Sequence, residues 1–135
     1  MSEKAVSDLM HKGIIACRPE TPMNEVVRIF SDQDVPAVVV IDDENLAVGI
    51  LSHPDIIRLY GEDLSRHTAR EVMSPAVEIG SDEPAKTAAE RMLASNIYRL
   101  LVVEDEGDER RPVGILSATD LVKEMRGSRW IWYMG

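Results

Sequence analysis

A serine and an aspartate stand three residues apart at two places in this chain, Ser52 with Asp55 and Ser117 with Asp120. A carboxylate only accepts hydrogen bonds, which suits it to a vicinal diol, and a hydroxyl at a helix start lies beside free backbone N–H groups that favour an anion. The same spacing is that of a capping box, in which both side chains satisfy backbone amides and no ligand is needed. The pairs are therefore candidates for ligand sites or for helix caps, and both interpretations stay open at this point.

Both pairs belong to a repeated segment. Residues 48–55 return at 113–120 with six of eight positions identical, Met10 matches Met73, and Pro22 matches Pro84. The offset between the copies grows from 62 to 65, which places a three-residue insertion in the acidic turn at 104–110 of the second copy. Such a length change belongs in an exposed loop. The repeat indicates two copies of one structural block that share a core, and the polar residues kept in both are candidates for paired sites.

Each copy is predicted to follow the order strand, helix, strand, strand, helix. In the first copy, Thr21 is expected to be an N-cap with Pro22 at the first helical position, and Ser52 to cap a helix that runs to about Tyr60 before Gly61 ends it. The other predicted elements of this copy are a helical turn at 6–10 and strands at 14–16, 37–41 and 47–51. In the second copy they are strands at 77–79, 100–103 and 113–116 and helices at 84–95 and 118–126, after a polar linker at 62–68.

Composition excludes several classes of function. No apolar run is long enough for a membrane span and the start lacks the features of a signal peptide, so we expect a cytoplasmic protein. One cysteine, Cys17, excludes an internal disulfide, and three scattered histidines give no metal-ligand spacing. The net charge of −9, without a basic cluster, argues against nucleic-acid binding. The same charge opposes an anionic small molecule, so a nucleotide would need local donors such as Arg99 or a helix N-terminus.

Two β-α-β-β-α units that each carry Gly-x-x-Ser-x-x-Asp, at 49–55 and 114–120, resemble a pair of cystathionine β-synthase (CBS) domains, known together as a Bateman module. Upstream of this motif the family has a methionine that closes a short helix before a strand, and then a helix start with threonine or serine and proline. Met10 with Thr21 and Pro22 matches this pattern, and Met73 with Ser81 and Pro84 matches it more loosely. The resemblance covers about residues 5–126. It implies an α+β fold in which a CBS domain at 5–61 and another at 68–126 pack through their sheets with pseudo-two-fold symmetry. An aromatic tail at 127–135 follows the second domain.

The resemblance also implies two clefts for adenosine-containing ligands such as AMP, ADP, ATP or S-adenosylmethionine. It implies that Asp55 and Asp120 accept hydrogen bonds from ribose hydroxyls and that Ser52 and Ser117 donate to phosphate. On this basis we expect substitution of Asp120 to abolish the effect of the ligand.

The two copies differ at one position of interest. Arg99 stands where many CBS domains carry a phosphate-contacting basic residue, whereas the first copy has Ala37 there, so we expect unequal clefts. Arg99 could instead be a solvated residue paired with an acid, and Tyr98 could flank a base or cover an apolar edge. Further candidates for the ligand site are Ile15, Cys17 and Val77, which would surround adenine, and His53, which would sense phosphate. Their alternatives are an inert buried thiol for Cys17 and an ordinary first-turn residue for His53.

The favoured function is a stand-alone regulatory module that binds an adenine nucleotide, needs no cofactor or metal, and is not an enzyme. It is expected to homodimerise through helices near 21–32 and 84–95 and to act on a separate regulated protein. A second hypothesis is a homodimerising adaptor with empty clefts, whose tail residues Trp130, Trp132 and Tyr133 bind a partner or fold back on their own module. A small enzyme that uses Cys17 or His53 lacks the necessary constellation.

Overall fold

The computed structural model describes residues 4–126, so the predicted aromatic tail lies outside the described residues. A 3₁₀ turn at Leu64–Arg66 separates the two halves. The elements are α1 (Val6–Leu9), β1 (His11–Lys12), β2 (Ala16–Cys17), α2 (Met23–Asp32), β3 (Val38–Ile41), β4 (Ala47–Leu51), α3 (His53–Ile57), α4 (Ala69–Val72), β5 (Glu78–Gly80), α5 (Ala85–Ser95), β6 (Arg99–Glu106), β7 (Glu109–Ser117) and α6 (Ala118–Met125). Among these residues, no helix combines the length and the hydrophobicity needed to cross a bilayer.

The strands form two sheets. One has the order β2-β3-β4 and the other has the order β1-β7-β6-β5. In each sheet the first strand of the repeat runs parallel to the second, and the second pairs antiparallel with the third. The exception to one sheet per half is β1, which leaves the first half and pairs antiparallel with β7, so that His11 lies opposite Ile115.

The central strands are buried on both faces. In β3, Val38 and Val40 join a cluster with Met23 and Val26 of α2, whereas Val39 points the other way. Val39 belongs to a layer that draws on both sheets and consists of Ala37, Val39, Ile50, Leu101, Val103 and Ile115. The sheets therefore pack against each other through this layer, which explains why the strands read as continuous apolar runs instead of alternating. This confirms the predicted α+β fold of two repeats packed through their sheets.

The predicted start of α2 is wrong by one position. Pro22, with φ −66° and ψ 145°, is the N-cap, and the helix begins at Met23. A backbone bridge between Pro22 and Thr68 accompanies this extended conformation. The Thr21 hydroxyl does not cap the helix but accepts a hydrogen bond from the Arg18 amide at 3.0 Å.

Helix α3 is shorter than predicted. It ends at Ile57, and the amides of Leu59 and Tyr60 then donate to carbonyls only three residues back, in tighter turns. Gly61 follows with φ +91°, a left-handed conformation that suits glycine. Strand β2 lies at Ala16–Cys17 and not at the predicted 14–16. Neither β1 nor α4 was predicted, since two and four residues are too short for a periodic signal.

Each half extends its N-terminal segment over the other half. Helix α1 packs on α5 and α6, and its fully buried Val6 joins the core of the second repeat with Ile79 and Leu116. Helix α4 packs on β4, and its fully buried Ala69 joins the core of the first repeat with Leu51. Each repeat therefore depends on the other to complete its hydrophobic core.

Two glycines allow these N-terminal segments, which begin with α1 and α4 and are called the exchanged segments below, to lie close to the sheets. Met10 is the C-cap of α1, and Met73 is the C-cap of α4. A Cβ atom on Gly49 would collide with the side chain of Met73, and one on Gly114 would lie 2.5 Å from the carbonyl oxygen of His11. Any larger residue would push the exchanged segment away.

The insertion of the second copy lengthens the β6–β7 hairpin. Strands β6 and β7 extend well beyond their counterparts β3 and β4, and the residues they gain are exposed, as predicted for this acidic turn. Gly107, with φ +64°, lies in the turn. Arg110 bridges from the hairpin to Glu78 of β5 at 3.0 Å.

Candidate functional site

Both serine–aspartate pairs adopt the capping geometry. The Asp55 Oδ2 atom accepts hydrogen bonds from the backbone amide and the hydroxyl of Ser52, each at 2.9 Å. The Asp120 Oδ2 atom does the same with Ser117, at 2.8 and 3.1 Å. Each serine is buried at the N-cap of its helix, α3 or α6. The capping box therefore fixes the orientation of each carboxylate.

The two carboxylates differ in their remaining partners. Asp55 Oδ1 accepts a hydrogen bond from the Ser74 hydroxyl at 2.6 Å and one from Arg58 Nη1 at 3.3 Å. A carboxylate offers about four acceptor positions, so Asp55 is saturated. For Asp120, His11 Nδ1 lies 3.3 Å from Oδ2, and no hydrogen bond from residues 4–126 reaches Oδ1. His11 and Ser74 occupy equivalent places, since each follows the methionine that ends an exchanged segment.

A cleft of about 360 Å³ contains Asp55, and we call it the Asp55 cleft. It is lined by Ile50, Pro54, Asp55, Arg58, Ser74, Pro75, Val77, Asn96, Ile97, Tyr98 and Arg99. It brings together four predicted site residues, namely Asp55, Val77, Tyr98 and Arg99. The Arg99 Nε atom itself is shielded from solvent and has no hydrogen-bond partner among residues 4–126. The cleft therefore combines one carboxylate with two guanidinium groups.

A second cleft occupies the equivalent place across the pseudo-two-fold axis and measures about 230 Å³, and we call it the Ala37 cleft. It is lined by His11, Lys12, Gly13, Ile14, Ile15, Val35, Pro36, Ala37 and Ile115. Ile15 is the predicted site residue found here, and Ala37 takes the place that Arg99 has in the Asp55 cleft. The two clefts are thus unequal in volume and in charge.

Arg99 and Asp120 lie at different places. Arg99 shares a cleft with Asp55, and the expectation that substitution of Asp120 abolishes the effect of a ligand stays a prediction. Asp120 lies instead beside His11 and lines an outer groove with Asp8 and Lys123. The reason is that the Asp55 cleft takes the start of α3 from the first repeat and its opposite side, with Tyr98 and Arg99, from the second.

The other predicted residues lie outside both clefts. Cys17 lines a separate depression with Arg18 and Glu25, and burial raises the pKa of its thiol to about 11. A thiol with such a pKa is a poor nucleophile at neutral pH. The imidazole of His53 packs edge-on against the Phe30 ring, with a centroid distance of 5.0 Å. Ser52 and Ser117 are buried beneath their aspartates and do not line either cleft.

Three polar residues at these sites were missed by the sequence interpretation. Arg58 carried a usable signal, because it lies one helical turn after Asp55 and so on the same helix face. Ser74 and His11 carried none, since their proximity to the aspartates depends on the exchange of segments between the halves. Within residues 4–126, no cluster of side chains has the composition of a metal site.

Comparisons with known proteins agree on one family. A model described as "CBS domain" matches residues 6–62 and again 69–127. The inosine-5′-monophosphate dehydrogenase of Methanocaldococcus jannaschii is 25% identical over 123 residues, which are 91% of this chain but only 24% of the dehydrogenase. The chain thus spans about a quarter of that relative's length.

Two solved structures share the fold. One is the CBS domain pair of protein MJ0100, in complex with 5′-methylthioadenosine and S-adenosyl-L-methionine, with a TM-score of 0.81, 25% identity, and coverage of 91% of this chain and 96% of that one. The other is the CBS domain protein TA0289 of unknown function from Thermoplasma acidophilum, with a TM-score of 0.81, 26% identity, and coverage of 93% and 71%.

Proposed function

Because this chain belongs to the CBS domain family, with two tandem copies of the domain, we propose that it is a regulatory module that binds an adenosine-containing ligand, and that the Asp55 cleft takes an adenine nucleotide such as AMP. The similarity to a domain pair in complex with two adenosyl compounds supports the class of ligand. The chemistry of the cleft supports the choice of a phosphorylated member of that class.

The observation that carries the proposal is the pair of arginine side chains, Arg58 and Arg99, that line the Asp55 cleft from its two sides. A phosphate oxygen suits a guanidinium, because the bond is charge-assisted and can be bidentate. The net charge of −9 repels anions from the molecule as a whole, so an anionic ligand depends on local cations such as these two.

The cleft is built from both repeats, which provides the regulatory step. Asp55 and Arg58 belong to the first repeat, whereas Tyr98 and Arg99 belong to the second. A ligand that contacts both sides favours the arrangement in which the sides are correctly spaced. It therefore shifts the population of states by its difference in affinity between them. In this proposal the module is cytoplasmic, does no chemistry itself, and passes the shift to a separate protein.

A thermal-unfolding series tests the proposal, with AMP, ADP, ATP, NAD, S-adenosylmethionine and 5′-methylthioadenosine as ligands. A ligand at about a hundred times its dissociation constant adds roughly 2.7 kcal/mol to the free energy of unfolding, a shift of several degrees. We expect AMP to raise Tm and Arg99→Gln to reduce the rise. The control is Arg111→Gln, which removes an exposed arginine of the hairpin. No rise with any ligand would overturn the proposal.

A second candidate function, a homodimeric adaptor, is favoured by a different observation. Exposed apolar side chains occupy equivalent positions in the two repeats, Ile57 with Val122 and Tyr60 with Met125. Tyr60 is 93% exposed and Met125 is 80% exposed, and side chains of this kind often mark interaction surfaces. Light scattering on the wild type and on Tyr60→Ser with Met125→Ser tests whether this surface forms a dimer. A dimer that the double variant dissociates supports this surface, whereas a monomeric wild type refutes it.

A further inference from the structure

Arg58 lies directly over the carboxylate that the proposed ligand needs. Its Nη1 atom is 3.3 Å from Asp55 Oδ1, and both residues line the Asp55 cleft. The Arg58 side chain is 73% exposed, whereas that of Asp55 is only 3% exposed. Arg58 is therefore the solvent-side partner of an otherwise buried acceptor.

All four acceptor positions of the Asp55 carboxylate are occupied, and Arg58 supplies one of the four donors. The other donors to its carboxylate are the Ser52 amide, the Ser52 hydroxyl and the Ser74 hydroxyl, which belong to the helix cap or to the edge of the exchanged segment. A ribose diol cannot bond to this carboxylate unless one donor leaves. Arg58 leaves most easily, because its bond is the longest of the four and its side chain can turn into solvent.

We propose that Arg58 selects the ligand by charge, so that the Asp55 cleft binds nucleotides in preference to nucleosides. Any diol that approaches Asp55 displaces the guanidinium. A nucleotide gives the displaced group a new partner, since its phosphate is an anion in the same cleft and Arg99 is already placed there. An uncharged nucleoside gives it none and so loses the ion pair without compensation. The inference rests on the proposed function and names the ligand class of that same site.

The second repeat provides a matched position without this selector. Lys123 corresponds to Arg58 in the repeat alignment, but among the described residues it makes no ion pair with Asp120, which has His11 beside it instead. The proposed selection is therefore confined to the Asp55 cleft, and Lys123→Ala is the natural control.

The test is calorimetric titration of the wild type, Arg58→Ala, Arg58→Lys and Lys123→Ala with AMP and with adenosine. Loss of a charge-assisted bond to phosphate should weaken AMP binding roughly ten- to a hundredfold in Arg58→Ala. Loss of the competing ion pair, worth no more than an exposed salt bridge, should tighten adenosine binding up to about fivefold. We expect Arg58→Lys to restore part of the preference for AMP and Lys123→Ala to behave as the wild type does.

The expected changes in Arg58→Ala have opposite directions, weaker binding of AMP and tighter binding of adenosine. A general structural role for Arg58 would instead weaken the binding of both ligands. Equal weakening of AMP and adenosine, or no change in either, would overturn the inference and leave the proposed function in place. A wild type that binds neither ligand would instead overturn the proposed function itself.

Discussion

Substitution of the two matched glycines by alanine should destabilise the protein unequally. The added Cβ atom of Gly114→Ala would lie 2.5 Å from the carbonyl oxygen of His11 and 2.7 Å from the Met10 sulfur. Since van der Waals contacts between heavy atoms are near 3.5 Å, strand β1 would have to move by about 1 Å. In Gly49→Ala the three atoms nearest to the new one belong to the side chain of Met73, and its Sδ and Cγ atoms can move away by a change of rotamer, while its Cβ atom stays at 3.1 Å.

Overpacking typically costs about 1 to 3 kcal/mol. We expect Gly114→Ala near the upper end and Gly49→Ala near the lower end, measured as free energies of unfolding from urea titrations. The double variants sharpen the contrast. Met73→Ala should remove much of the strain in Gly49→Ala, whereas Met10→Ala should not rescue Gly114→Ala, because the backbone oxygen remains. A Gly114→Ala variant that is as stable as Gly49→Ala, or rescue of Gly114→Ala by Met10→Ala, would refute the close approach of β1 to β7.

Three further predictions concern single side chains. Burial raises the pKa of the Cys17 thiol to about 11, above its unfolded value near 9. The resulting contribution to the free energy of unfolding, roughly 2 to 3 kcal/mol, is fully present below pH 9 and should be lost between pH 9 and 11. Urea unfolding of the wild type and of Cys17→Ala across this range measures the loss. Asp55→Ala should reduce stability by about 3 kcal/mol, because buried donors lose their acceptor, and Asp120→Ala by about half as much. Calorimetric unfolding would show the order, and equal losses would contradict it. Arg111→Ala removes an exposed ion pair with Glu106, so Tm should stay within about two degrees.

Much of the fold was readable from the sequence because its signals are local. The continuous apolar runs predicted buried strands such as β3 and β6, and the serine–aspartate spacing predicted both helix starts. The exposure of residues 104–110 was predicted correctly, but the segment is paired strand apart from the turn at 107–108, so the predicted turn was too long. The buried strands and the helix starts depend on residues within one turn or one strand of each other, which is the range over which sequence patterns carry information.

The candidate site was less predictable because its neighbours are distant in sequence. Arg99 and Asp55 could each be predicted as site residues, but that they share a cleft depends on how the two repeats pack against each other. The Ser74 hydroxyl reaches Asp55 only because α4 packs on the other repeat. The N-cap of α2 is Pro22, whose extended backbone forms a bridge with the distant Thr68. Such contacts arise from tertiary packing, and one sequence alone does not encode them in a recognisable pattern.

The exchange of N-terminal segments sets an order of events during synthesis. Residues 6–12 leave the ribosome before their partner β7, which follows roughly a hundred residues later, and so long a separation slows folding. The core of the first repeat can be completed once α4 has emerged, whereas Val6 stays exposed until the second repeat is complete. A half-chain released early would carry an unpaired segment and an uncovered sheet, and another copy could supply what is missing. Truncation should therefore produce intertwined dimers in place of independent halves.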